Sequence, residues 1–317
     1  MKSVVERSKY RLKPWSPAYG VYALGLAILL LALVAVIRFH WHERLWYYLT
    51  CQLNAEQRMG QGVWLPGYRV DIDAKPVQGV AGDLSAIAFD ADRQSLLAVT
   101  NAPPIELLEL DREGNVTGRN PLNGFDDVEG LAYLGNGLVA VTEEILQQLV
   151  IFSLPSQAGV PIDKQAASTL ALPLKSSAHN KGFEGVAYDA GNDRLYLAKE
   201  RDPRQLYAVS GIKASLAGRL QLKVEDLSDW IERSVFARDI SDLYFDPRSG
   251  HLLVLSDESK LIIELNERGA VVSFRTLLGH ISDLRQSAPQ PEGLTLDNDG
   301  HLYVVSEPNL FYRFSRH

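Results

Sequence analysis

Twenty consecutive positions, Ala18 to Ile37 (AYGVYALGLAILLLALVAVI), carry no ionisable side chain other than tyrosine. At ~1.5 Å per residue a helix of that length spans a ~30 Å hydrocarbon core, so the pattern predicts a transmembrane helix over 18–37. Beyond Trp64 the helical period nearly disappears. Short alternating or continuously apolar runs, separated by turn residues, take over to the C-terminus and predict strands.

The charges around the apolar run give it an expected direction. Lys2, Arg7, Lys9, Arg11 and Lys13 precede it against the single Glu6, while Arg38 and Arg44 follow it. This excess predicts a cytoplasmic tail over 1–17, a single pass through a bacterial inner membrane, and a periplasmic C-terminal domain. A cleaved signal peptide is the rival reading, although the run exceeds the usual ~7–15-residue apolar region. Cys51 in YLTC invites a lipoprotein reading, but Thr50 stands where a smaller residue is expected. As the only cysteine, Cys51 cannot form an intrachain disulfide. Residues 38–62 read as a juxtamembrane helix and linker. In it, Phe39 to Arg58 mixes aromatics with charge, and Trp41, Trp46, Tyr47 and Tyr48 are expected at the headgroup level. His40 and His42 have no further ligands nearby and read as solvated interface residues.

Residues 63–317 contain a repeat. SAIAFDADRQSLLAVTN from Ser85, EGLAYLGNGLVAVTE from Glu129, EGVAYDAGNDRLYLAKE from Glu184, SDLYFDPRSGHLLVLSD from Ser241 and EGLTLDNDGHLYVVSE from Glu292 are five copies of one hairpin. Each has an apolar strand, a turn rich in Asp, Asn and Gly, and a second strand of β-formers, usually followed by another strand. Spacings of roughly 45–57 residues suit blades of about four strands, so the chain is expected to be all-β: a five-bladed β-propeller behind one transmembrane helix. A β-sandwich is the alternative, and the regular copy length argues against it. The last copy has about three strands, and GYRVDID (Gly67 to Asp73) is expected to add its outer one, joining the ends of the ring. The insertion from Leu216 to Arg238 is expected to hold a strand and a helical turn capped by Ser228.

Aligned, the copies form two polar columns. Ser85, Glu129, Glu184, Ser241 and Glu292 start the first strands; Asn101, Glu143, Glu200, Asp257 and Glu307 end the second. In an antiparallel hairpin these two positions lie at the same end, so both columns should face one mouth. With the first strand innermost, three glutamates converge on the channel. Like charges that close need protonation or a cation. An all-oxygen set with flexible geometry suits Ca²⁺, whereas Mg²⁺ demands a tighter octahedron and zinc prefers His or Cys. Metal candidates are therefore Glu129, Glu184, Glu292, Ser85 and Ser241, with Glu143, Glu200 and Asp257 of the second column as further ligands. The structural alternative is that each Glu only accepts backbone N–H bonds at a strand start.

The segments DDVEGLAYLGNGLVAVTEE, NKGFEGVAYD and PQPEGL resemble the SdiA-regulated, YjiK-like family, over essentially Gly67 to the C-terminus. That resemblance implies a five-bladed propeller similar to NHL-repeat proteins, an N-terminal membrane anchor, and a bound Ca²⁺ at the matching acids Glu129, Glu184 and Glu292.

Composition narrows the function. The chain has 317 residues, 46% of them hydrophobic and 22% charged, and a net charge of -7. It is globular rather than disordered, and a nucleic-acid partner is not expected. No Gly-x-Ser-x-Gly motif, P-loop or metalloprotease histidine pair is present. The expectation is a binding module for an unknown periplasmic ligand or protein. The alternative is a calcium-dependent hydrolase of lactones or phosphoesters, with His179 and the Lys199-Glu200-Arg201 trio as helpers.

Overall fold

The computed structural model describes residues 17–38, 41–53, 60–171, 182–219 and 221–316. The chain divides into two units, Met1–Leu45 and Trp46–His317. In the first, α1 (Pro17–Arg38) is apolar on every side, and its large side chains, Leu24, Leu29 and Leu31 among them, are exposed. It is long and apolar enough to cross a membrane.

A second helix, α2 (Trp41–Gln52), carries Tyr47 and Cys51 into the second unit. Here the headgroup expectation for Tyr47 is corrected. Its ring is fully buried, stacks on Phe274 with centroids 5.4 Å apart, and its hydroxyl accepts the Phe236 N–H at 2.7 Å. Burying a tyrosine in a core that also satisfies its hydroxyl outweighs leaving it at an interface. Tyr48, the next residue along the helix, stays half exposed.

The second unit is a five-bladed β-propeller. Its first strand, β1 (Tyr68–Pro76), waits for the end of the chain. Blade I is β2 (Leu84–Asp90), β3 (Ser95–Thr100), β4 (Glu106–Leu110) and β5 (Val116–Asn123). Blade II opens with β6 (Val128–Gly135), β7 (Leu138–Glu143) and β8 (Gln148–Ser153). The short β9 (Ile162–Asp163) joins β5 in parallel, and β10 (Ser168–Ala171) completes blade II. Blade III is β11 (Phe183–Asp189), β12 (Arg194–Lys199), β13 (Gln205–Ser210) and β14 (Lys223–Asp226). Two short helices flank β14: α3 (Ile212–Leu216) before it and α4 (Ser228–Ser234) after it. Blade IV is β15 (Asp242–Asp246), β16 (His251–Ser256), β17 (Leu261–Leu265) and β18 (Val271–Thr276). Blade V is β19 (Gln290–Leu296), β20 (Leu302–Glu307) and β21 (Leu310–Arg316), with β1 as its outermost strand.

The pairing of β1 with β21, from Tyr68 opposite Arg316 to Pro76 opposite Leu310, closes the ring as the alternating GYRVDID predicts. It also covers an edge that would otherwise be free to pair. Just before β1, the buried Glu264 carboxylate accepts the Val63 N–H at 2.7 Å and the Trp64 N–H at 3.0 Å, and lies 2.7 Å from His251 Nδ1. The entering chain is thereby fastened to blade IV before it reaches blade V.

Apolar cores lie between neighbouring blades, each made by facing sheet surfaces. Leu97 meets Leu131 between I and II, Leu149 meets Leu197 between II and III, and Ala198 meets Val254 between III and IV. Ile262 meets Val304 between IV and V, and Leu96 meets Tyr303 between V and I. Strands buried on both faces explain why the inner runs read as continuously apolar rather than alternating.

The expected turn chemistry is present. Asn136, Asp193, Gly250 and Gly300 take left-handed conformations in their hairpins, and in blade I it is Gln94 that does so. Four repeated aspartates at the turn ends of inner strands, Asp90, Asp189, Asp246 and Asp297, accept main-chain N–H bonds of their own turns. Ser228 does not cap α4: its hydroxyl accepts the Leu206 N–H, while Asp226 accepts the Ser228 N–H at 2.9 Å.

Candidate metal centre at the propeller mouth

The repeated Glu-Gly pairs divide two tasks between adjacent residues. A Cβ on Gly130 would lie 2.2 Å from the Glu184 carbonyl oxygen, one on Gly185 2.9 Å from the Asp242 main chain, and one on Gly293 2.7 Å from Ile87 N. Glycine is therefore what lets inner strands of adjacent blades approach. The pairing slips at the same place: between Val128 and Gly130, between Phe183 and Val186, and between Pro291 and Gly293. Such bulges re-aim side chains, and here the slipped residues include Glu129, Glu184 and Glu292.

The three glutamates converge as the alignment implies. Burial, and then Asp127, Glu144 and Glu307, push the Glu129 carboxyl from an ordinary 4.5 up to about 8. Burial, then Glu200, Glu129, Glu292 and Glu144, push Glu184 up well beyond the usual range. Glu292 is raised by burial, then by Asp257, Glu129, Glu307 and Asp239. Desolvation leads in every case, with like charge acting in the same direction.

Two carboxylate triads each bring one oxygen per residue within 4.8 Å of the others: Asp127 with Glu129 and Glu144, and Glu144 with Glu184 and Glu200. Glu144 belongs to both. Asn101 holds the first triad in place, donating to Glu129 at 2.7 Å and to Asp127 at 3.3 Å while accepting the Val128 N–H at 3.1 Å. The Gly182 N–H donates to Glu144 at 3.0 Å. Among the described residues, the Glu184 and Glu292 carboxylates accept no hydrogen bond and form no ion pair.

Other candidates have different positions. Glu143 is not in the cluster: fully buried, it pairs with Lys164 at 2.6 Å and accepts the Asp126 N–H at 2.9 Å. Glu144, the first residue after β7 ends, joins the acids at the mouth instead. Glu200 is at the mouth and pairs with Arg201 at 2.9 Å; Asp257 is there too, paired with Lys260. Burial raises Asp257, against the lowering effect of Lys260. Ser85 donates to the Asp83 carbonyl at 3.2 Å and Ser241 to the Pro291 carbonyl at 2.9 Å, and neither belongs to a triad.

Among the hydrolase helpers, Lys199 is buried with its ammonium donating to the Arg201 and Asp202 carbonyls, and Arg201 pairs with Glu200 and Glu258. His179 lies outside the described residues. Below the carboxylates the axis narrows to a cavity of about 60 Å³ lined by Phe89, Tyr133, Tyr188 and Tyr244 among others. A third acidic group, Asp297 with Asp299 and His301, already has a cationic partner: Arg112 pairs with both aspartates.

Asp127 and Glu144, missed by the columns, sit in doubled acids, Asp126-Asp127 and Glu143-Glu144. The doubling was the available signal. Which member of each pair faces inward depends on where the strand ends.

The donor set is all oxygen, with the half-buried Glu184 and Glu292 carboxylates accepting no hydrogen bond among the described residues, and this fits a hard divalent ion such as Ca²⁺. Residues Glu129, Glu144, Glu184, Asp127 and Glu200 would hold it. Fold and mouth define a five-bladed propeller module with a converged acidic centre.

Residues 60–315 match the family described as SdiA-regulated, and the chain belongs to it. Among solved structures it is similar to one in a nidogen/laminin complex, at 14% identity over 71% of this chain and 73% of that one, with a TM-score of 0.44. It is similar to a streptogramin B lyase at 10% identity over 81% of this chain and 100% of that one, TM-score 0.44. A virginiamycin B lyase from Staphylococcus aureus matches at 14% identity over 75% and 68%, TM-score 0.41.

Proposed function

We propose that this protein is a membrane-anchored, exported propeller that holds Ca²⁺ at its acidic mouth and uses the loaded mouth to bind a ligand or protein. The observation that carries the reading is the triad of Glu144, Glu184 and Glu200, one oxygen of each within 4.8 Å of the others, in which the half-buried Glu184 accepts no hydrogen bond among the described residues. A divalent cation removes that repulsion without protonating the ring. With α1 as the anchor, the excess of positive charge before it supports a propeller on the periplasmic side of a bacterial inner membrane. Binding is favoured over hydrolysis because the Lys199 ammonium and Arg201 guanidinium are committed to carbonyls and carboxylates.

Calorimetric titration of Ca²⁺ into the chelator-treated full chain, in nonionic detergent, tests the centre. Saturable binding that is lost in Glu184→Gln is expected. Absence of binding in the wild type would refute the centre, and calcium-dependent cleavage of lactone or phosphoester substrates would replace the binding module by the hydrolase. A phosphatase fusion at His317, active only when exported, tests the orientation.

A further inference from the structure

A mainly apolar recess outside the mouth lies beside α2 and β18. It has a volume of about 400 Å³, within the ~300–1,000 Å³ usual for small-molecule sites. Tyr48 and Cys51 of α2 form one wall, Phe274 of β18 another, and Ile281 the rim. Tyr48 and Ile281 leave 53% and 58% of their surface exposed, so apolar area is available at the opening.

Two guanidinium groups line the same recess. Arg275, which is buried, pairs with Asp283 and lies over the Phe314 ring at 4.4 Å. Arg69 is exposed and, among the described residues, donates to the Pro66 and Tyr68 carbonyls, at 3.1 and 2.9 Å. Burial first, and then the Arg69 charge, lower the Arg275 pKa, against the raising effect of Asp283. Among the described residues Asp283 is the one carboxylate lining the recess, and it also accepts the Val70 N–H at 2.7 Å. Counted over those residues, two cations against one anion leave a net charge of about +1 beside an apolar wall.

That combination recognises an amphiphile with a single negative charge at its head. The wall that offers the apolar surface belongs to α2, which begins at Trp41, three positions after the last residue of α1 at Arg38. We propose that the recess binds one anionic phospholipid, with the phosphodiester at Arg69 and Arg275 and acyl carbons against Tyr48, Phe274 and Ile281. The source of the ligand rests on α1 acting as a membrane anchor. Apolar packing and a basic head-group contact are the usual ingredients of such sites.

Cys51, the only cysteine, is 6% exposed on the wall and reports on occupancy. The full chain in nonionic detergent is supplemented with dioleoylphosphatidylglycerol or with dioleoylphosphatidylcholine, and the rate of Cys51 alkylation by N-ethylmaleimide is measured. The anionic lipid is expected to slow alkylation at least fivefold relative to the zwitterionic one. In Arg69→Gln the ratio should fall below twofold with the rate in phosphatidylcholine unchanged, and Ile281→Glu should abolish protection from the apolar side. Equal rates in the two lipids for the wild type, or full protection surviving in Arg69→Gln, would overturn the proposal. So would equal protection by inorganic phosphate alone. Recovery of the full chain from cells in the soluble fraction without detergent would refute the anchor instead, and the alkylation ratio would still report on the recess.

Discussion

Replacing Glu129 by glutamine tests whether the mouth is held together against its own charge. In the unfolded chain this carboxyl ionises near 4.5, and in the folded protein near 8. A carboxyl whose pKa is raised on folding leaves the folded state fully stable below the unfolded value and destabilises it increasingly as pH rises toward the folded one. At ~1.36 kcal/mol per pH unit, the loss from Glu129 alone is about 3 kcal/mol at pH 7 and about 5 kcal/mol at pH 9. Glu184 and Glu292 shift in the same direction, but the groups interact, so their losses do not add. The assay is urea denaturation of the chelator-treated full chain in nonionic detergent at pH 5, 6, 7, 8 and 9. The wild-type midpoint should fall steadily from pH 5 upward. Glu129→Gln should be the more stable protein at pH 8 and have a flatter profile, and saturating Ca²⁺ should raise and flatten the wild-type curve. A wild-type midpoint that stays constant or rises from pH 5 to 8, with the same slope in Glu129→Gln, would refute the reasoning.

The remaining expectations probe the frame around the mouth. Glu144→Gln should weaken Ca²⁺ binding in calorimetry at least tenfold, whereas Glu143→Gln should leave affinity unchanged and lower the urea midpoint through the lost Lys164 ion pair. Gly185→Val should destabilise by roughly 1–3 kcal/mol, measured by urea, because its side chain meets the blade IV main chain. Glu264→Ala leaves the buried Val63 N–H and the Ser273 hydroxyl without their acceptor, at about 1–3 kcal/mol each, so a lower urea midpoint is expected. Tyr68→Ala, which empties the closing strand of its buried ring, should cost about 3–5 kcal/mol, and an unchanged midpoint would show that β1 does not lock the ring.

Much of the architecture was legible because it rests on local patterns. The apolar run of α1 depends on composition alone, and the five hairpins repeat their own turn chemistry. Even the closing strand could be read, since a blade with three strands needs a fourth and Gly67 to Asp73 alternates like one. The glutamate of each Glu-Gly pair was legible as a mouth residue for the same reason: a repeat fixes the end of the strand at which it sits. Tyr47 was misread because nothing in FHWHERLWYYLT says which helix face meets Phe274 and Phe236.

The sequence by itself determined that one membrane-length helix precedes five β-blades, and that three glutamates share a position in the repeat. Periodicity and turn residues act within about 20 residues of chain, where sequence order and spatial neighbourhood coincide. Only the tertiary structure decided that Glu144 rather than Glu143 joins the acids, and that Asp127 and Asn101 complete the group. It alone showed that the glycine beside each glutamate is required by the next blade. These choices depend on a bulge, on a strand end and on contact between blades some 50 residues apart, and such packing sets the direction of a side chain without leaving a periodic trace in the sequence.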